Sequence, residues 1–268
     1  MIAMLRRRVG LAVALLLLCS STLQAQRFDN GRWVDLTHEL DERSVFWPTA
    51  KMFEKETVFE GRTDGGFYYS AFNFSAAEHG GTHVDAPIHF AEGKRATDEI
   101  PIDRMIGPAV VIDVKEASSE NADYRITPKD ITDWEKRHGR MPDGAIVLFN
   151  TGFARHYPDR EKYMGTAERG EEAVKDLHFP GLHPMTAAYL VSQRDVGAVG
   201  LDTPSIDYGQ STDFAAHVNL YKSNVPGLEN VANLDSLPPV GATVIALPMK
   251  IGGGSGGPVR IVAFVPGT

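Results

Sequence analysis

Six short apolar runs do most to limit what this chain can fold into: YYSAFNFS at 68–75, AVVIDV at 109–114, AIVLFNT at 145–151, VGAVGLD at 196–202, ATVIALPM at 242–249 and VRIVAFV at 259–265. Each is rich in Val, Ile, Phe or Ala and bounded by Gly, Pro or Asp, the pattern of a strand. Two helical patterns fall between them. TPKDITDWEKRHG at 127–139 opens on a threonine cap with proline at the first helical position and closes on Gly139. HPMTAAYLVSQRD at 183–195 again has an early proline, with a stripe of Met185, Ala188 and Tyr189 that Ser192 extends weakly. Alternation of the two patterns predicts an α/β domain. The aromatic-rich early part, with fewer helical patterns, predicts a sheet that is partly antiparallel or mixed. There is no internal repeat or long linker, so one domain is expected from about residue 30 to residue 268.

The first 25 residues are set apart from that domain. Arg6, Arg7 and Arg8 form a basic start, Val9 to Leu18 an apolar run, and LQA at 23–25 a small-residue cleavage pattern. This is the form of a cleaved secretory signal, and the apolar run is shorter than the roughly 20 residues that span a bilayer. The arginines resemble part of a twin-arginine signal, but their neighbours fit that pattern poorly, so Sec and Tat export both stay open. A periplasmic or secreted mature chain, residues 26–268, is expected, free of the membrane. The chain has 27 basic and 35 acidic residues, and three of the arginines leave with the signal, so the mature charge is 24 against 35, or −11. A nucleic-acid partner is not expected from that balance, and no local Lys/Arg cluster suggests one. The only cysteine, Cys19, lies within the signal; without it the mature chain has no disulfide and no thiol nucleophile.

EHGGTHVDAPIHF, residues 78–90, holds three of the nine histidines. His79 and His83 are four apart, but Gly80, Gly81 and Pro87 argue against a helix. A turn at the glycines leading into an extended piece fits better. There His83 and Asp85, two apart, point the same way, and His79 can fold back toward them. Imidazole and carboxylate converging on one point suit a divalent metal, and three protein ligands leave positions open for water or substrate. His89, beyond Pro87, is then placed to act as an unligated base. The bland alternative is a solvated or core-satisfied histidine cluster.

HGGTHVDAPIHF resembles the H-x-G-T-H-x-D-x-P-x-H-F signature of the metal-dependent cyclase family, which includes bacterial kynurenine formamidases and isatin hydrolases. VDLTHEL at 34–40 is similar to the family's opening strand, AVGLDTPSID at 198–207 to its central segment, and LPMKIGGGSGGPVRIVAFV at 247–265 to its closing Gly-rich loop and strand. The resemblance implies a swivelling β/β/α-type single domain with a mixed β-sheet, assembled as a homodimer or homotetramer. It implies His79, His83 and Asp85 as metal ligands and His89 as the catalytic base. It adds His217 and Glu229, from AAHVNLYKSNVPGLENV, as ligands of a further metal in binuclear formamidases; the alternative is a helix-capping His217 and an exposed Glu229. Isatin hydrolases resemble single-manganese enzymes, in which Gln210 or Asn219 would supply a neutral oxygen. One or two Mn2+ or Zn2+ ions per subunit are therefore expected. Glu78 receives no role from spacing or resemblance.

The expected substrate is a small aromatic amide or imide, with isatin opened to isatinate, and N-formylkynurenine as the alternative. Trp47, in a loop-like context before Pro48, is the better candidate for stacking on a flat ligand. Phe46 and Ser223 are further candidate contacts, and Tyr69 and Phe72 are read as core. Where a pocket is shared between subunits, VFWPT at 45–49 is the segment that would close a neighbour's site. A non-catalytic periplasmic metal-binding protein is the rival from a different class. A serine hydrolase is poorly supported, because GGSGG at 253–257 precedes a strand instead of a helix.

Overall fold

The computed structural model describes residues 28–267. The expected signal at 1–25, with Cys19, lies outside them. Twelve strands and five α-helices follow in the order β1 (Gly31–Asp35), β2 (Glu54–Arg62), β3 (Tyr68–Ser75), β4 (His83–Asp85), β5 (Ile106–Asp113), α1 (Lys115–Glu120), β6 (Arg125–Ile126), α2 (Pro128–His138), β7 (Ala145–Asn150), α3 (Arg160–Met164), β8 (Gly181–Leu182), α4 (Pro184–Gln193), β9 (Val196–Leu201), α5 (Ala215–Tyr221), β10 (Gly227–Glu229), β11 (Thr243–Pro248) and β12 (Gly256–Pro266). Among the described residues no helix is long and apolar enough to cross a membrane.

The expectation of a mixed α/β domain is met, in a form that strand patterns do not reveal. Neighbours around the main sheet run β12, β11, β5, β7, β9, β10, β4, and β4 pairs again with β12, so seven strands close into a barrel-like sheet. β5, β7, β9 and β10 are parallel to one another, and the remaining pairings are antiparallel. β1 adds to the outer half of β12. The central strands are apolar on both faces because both faces are covered. Ala109, Val111, Ile146, Leu148 and Ala198 join Val84, Leu228, Val244 and Ile261 in one core cluster, lining the inside of the closed sheet. The alternate residues, Val110, Ile112, Val147, Phe149, Val199 and Leu201, pack instead with Ile131 and Trp134 of α2, Leu190 of α4 and Leu220 of α5.

Two packing expectations are corrected. On α4 the buried residues are Thr186, Ala187 and Leu190, while Met185 is 64% exposed. The Thr186 hydroxyl donates to the Ile126 carbonyl and fixes that rotation of the helix. Tyr69 and Phe72 are not core either. They belong to β3, which pairs only with β2 in a separate hairpin whose aromatic side chains stand open to solvent.

Between β1 and β2 the chain lays Phe46 beneath the turn that precedes β4. Phe46 and Gly80 form an isolated antiparallel bridge, and the ring is buried. A Cβ built on Gly80 would lie 2.0 Å from the ring, so only glycine allows this approach. Gly80→Ala is expected to destabilise the fold by about 1–3 kcal/mol through overpacking. Urea titration checks it, with a lower midpoint at unchanged slope as the expected result.

Candidate metal centre

The sequence from 78 to 90 folds as its spacing predicts. The chain bends over 78–82, runs extended through β4, and turns through one short 3₁₀ segment at Pro87–His89. β4 is held on both edges, facing β10 in the register Asp85 to Gly227 and His83 to Glu229, and β12 in the register Asp85 to Gly256. His83 and Asp85 therefore point to the same side, with Glu229 directly across from His83.

His79 Nδ1 lies 2.7 Å from Asp85 Oδ1, and His83 Nε2 lies 3.1 Å from the same oxygen and 3.3 Å from Glu229 Oε2. His217 Nε2 sits 3.1 Å from Glu229 Oε1 and 3.5 Å from Asp85 Oδ2. His89 Nε2 is the most distant, 4.0 Å from Asp85 Oδ2, with its ring stacked on His79 at 3.8 Å. Two overlapping ligand groups, His79, Asp85, His89 and His83, Asp85, Glu229, share the one aspartate. The residues brought together are those named in sequence. His217 is inside α5 and does not cap it, and Glu229 is buried.

The tautomers of His83 and His217 turn unprotonated nitrogens toward the carboxylates. The His83 Nδ1–H donates to the Gly81 carbonyl at 3.0 Å, which leaves Nε2 buried, without a hydrogen-bond partner, aimed at two carboxylates. His217 Nδ1–H donates to Asp207 Oδ2 at 2.6 Å, again leaving Nε2 toward the carboxylates. Acceptors facing acceptors in a buried space need a proton or a cation between them. Histidines whose far nitrogen is pinned by a carbonyl or carboxylate are the usual partners of a metal.

The electrostatics follow. Burial alone would lower the His83 imidazole, but Asp85 and the charge of Glu229 outweigh it and raise it to about 9. Burial tends to raise Asp85, yet the imidazoles of His217, His79 and His83 gathered around it hold it well below the ordinary carboxylate value. Burial and the charge of Asp85 push Glu229 up. His89 differs: burial pushes it down to about 4 against the pull of Asp85, so it is neutral near pH 7.

The cluster forms the floor of a cavity of about 250 Å³. Trp47, Phe90, Pro204 and Phe214 make apolar walls. Phe90 and Phe214 lie 5.1 Å apart, with Trp47 6.4 Å from Phe214. Phe214 has φ of 48°, a rare conformation for an aromatic residue and one found where function holds a side chain in place.

Several candidates fall elsewhere. Phe46 lies under Gly80 with its ring buried, and its carbonyl accepts from Arg160, so it supports the turn without lining the cavity. Gln210 donates to the carbonyls of Leu177 and Lys175, and Asn219 to that of Pro184; neither reaches the cluster. Ser223 is exposed past the end of α5. Trp47 borders this chain's own cavity. Sequence reading missed Asp207, which orients His217, and Tyr221, whose hydroxyl donates to Asp85 Oδ2 at 2.9 Å. Tyr221 falls one helical turn after His217, a spacing that carries the signal. It also missed Asn230, whose side chain donates to the Gly81 carbonyl that receives His83.

The chain is also similar to known proteins over most of its length. A family model described as "Putative cyclase" matches residues 34–208. The chain is 36% identical over 222 residues to an isatin hydrolase of Roseibium aggregatum, covering 80% of this chain and 81% of that one. It is 31% identical to a kynurenine formamidase of Salinibacter ruber, covering 85% and 95%. Among solved structures, isatin hydrolase A from Labrenzia aggregata bound to benzyl benzoate superposes with a TM-score of 0.79 at 34% identity, covering 88% and 94%. An isatin hydrolase bound to the product analogue thioisatinate gives the same TM-score at 29% identity, covering 89% and 94%. The signature residues, the closed sheet and these matches make one finding: the chain belongs to the cyclase family.

Proposed function

We propose that this protein is a metal-dependent hydrolase of C–N bonds in small aromatic amides, and that it opens isatin to isatinate. The observation that carries the reading is the buried His83 Nε2, unpartnered between Asp85 and Glu229 beneath an aromatic slot. The similarity to isatin hydrolases supports the choice of substrate. Its closed mixed sheet is read as the swivelling β/β/α architecture of the family.

His79, His83 and Asp85 would hold a divalent ion, Mn2+ or Zn2+. Held there, such an ion would polarise the amide carbonyl and would lower the pKa of a bound water to about neutrality. Tyr221 occupies Asp85 Oδ2 and leaves Oδ1 toward His79 and His83, which favours one ion; His217 and Glu229 are the residues that would complete a second. Neutral His89 takes the proton of the attacking water and delivers it to the departing nitrogen, so that the added oxygen ends in a carboxylate. Trp47, Phe90 and Phe214 align the flat ring. Hydrolysis of N-formylkynurenine is the second reading, favoured by the paired His217 and Glu229 and by the formamidase relatives. A protein that only stored metal would close its ligand shell, whereas this cavity keeps an aromatic wall and a spare imidazole.

The basic start, apolar run and small-residue site at the N-terminus support export, with the mature enzyme acting in the periplasm or outside the cell. A homodimer or homotetramer is also proposed, on a specific ground. A two-stranded hairpin with open faces is marginal alone in water, and β2–β3 exposes Phe67, Tyr68 and Phe74 at 62%, 61% and 56%.

Metal-reconstituted mature protein assayed on isatin and N-formylkynurenine side by side decides the substrate; turnover of neither removes both readings. Chelation is expected to abolish activity, and added Mn2+ or Zn2+ to restore it, with metal analysis giving the ion count. His89→Ala is expected to lower kcat by roughly 10²–10⁴-fold at unchanged metal content, whereas His83→Ala loses both. Sedimentation of a Phe67→Glu/Phe74→Glu variant tests the hairpin, a shift to monomer being the expected outcome.

A further inference from the structure

Behind His79 lies a chain of hydrogen bonds. Its Nδ1 faces Asp85 Oδ1, and its Nε2 lies 2.9 Å from Ser255 Oγ. The Ser255 hydroxyl donates to Glu78 Oε2 at 2.7 Å, and the Ser255 backbone N–H donates to the same oxygen at 2.9 Å. A hydroxyl has one proton to give, and an ionised carboxylate only accepts. With its proton on Glu78, Ser255 Oγ must accept from His79 Nε2–H. That leaves Nδ1 as the ligand atom, turned toward Asp85.

We propose that Glu78 and Ser255 are positioning residues for the metal, a carboxylate–serine relay that fixes the tautomer and ring orientation of His79. The inference rests on the reading of His79, His83 and Asp85 as ligands. Ser255 is also held by contacts that do not involve Glu78. Its carbonyl accepts from Ala86 N–H, the Gly254 carbonyl accepts from both the backbone and the hydroxyl of Thr97, and Gly253 N–H donates to Asp98. Gly256 lets this loop lie against the imidazole, since a Cβ there would stand 2.5 Å from His79 Cε1. The serine of GGSGG is thus neither a nucleophile nor a spacer. Its hydroxyl is committed at both ends, to an imidazole and to a carboxylate. A partner behind a metal-binding histidine raises its basicity and holds its angle, and its loss typically weakens metal affinity 10–100-fold.

The test is zinc affinity by competition with a chromogenic chelator, measured for the parent, Ser255→Ala, Glu78→Gln and the double variant, alongside the unfolding midpoint of each metal-free protein. Each single change is expected to weaken zinc binding by roughly 10–100-fold without moving the midpoint. The double variant is expected to bind no more weakly than Ser255→Ala, because Glu78 acts through the serine. Unchanged affinity in both single variants, or losses that multiply in the double one, would overturn the relay. Should Ser255→Ala fail to fold, Glu78→Gln, which keeps size and packing, decides alone. If the parent binds no zinc or manganese, the ligand reading falls and the relay with it; if the parent binds and both single variants bind equally, only the relay falls.

Discussion

Burying the carboxylate of Asp85 is the constraint around which the molecule is arranged. At 1% exposure an isolated ion would be driven to its neutral form. Asp85 stays ionised because three imidazoles and the Tyr221 hydroxyl converge on its two oxygens, two of them from the segment around β4 and two from α5. Those groups need supports of their own: Asp207 behind His217, the Gly81 carbonyl behind His83, and Asn230 behind Gly81. Polar networks of this kind are sustained only when every member is satisfied. Here the outstanding valence is directed at one point.

The seam that closes the barrel supplies the geometry. β4 is only three residues long, yet it is hydrogen-bonded on both edges, and its pleat sends His83 and Asp85 to one side. The register with β10 places Glu229 opposite His83 with no adjustment by loops. Helix α5 delivers His217 and Tyr221, one turn apart, from the outer layer. A rigid sheet thus fixes the floor, while Trp47, Phe90 and Phe214 form the walls.

Much of this was legible in sequence because it is written locally. The strand runs, the helix at Pro128–His138 and the alternation of His83 and Asp85 depend on neighbours a few residues away. The family resemblance supplied His217 and Glu229, which no local spacing links to residue 85. What escaped is what depends on distant packing. Pro184 and the apolar spacing announced α4, but its rotation is set by the contact of Thr186 with Ile126. Aromatics on β3 are indistinguishable from core until the hairpin is seen to stand alone. Phe46 looked like a ligand contact and is a wedge under Gly80, while Glu78 looked idle because its partner lies 177 positions away.

Closure of the sheet between β4 and β12 also has a bearing on the order in which the protein is made ready. Residues 85 and 256 must meet across most of the chain, and contacts of such long separation form slowly, after the entropy of the intervening loop has been overcome. The parallel strands β5, β7 and β9 are nearer in sequence and offer an earlier nucleus. Until β4 takes its place between β10 and β12, His83 does not face Glu229 and the serine of the glycine loop does not reach His79. A partly assembled chain therefore carries His79, His83 and Asp85 on one local segment without Glu229, His217 or Ser255 around them, and the full cluster exists only in the finished barrel. Closing the barrel is thus also the step that would complete the cluster as a site for an ion.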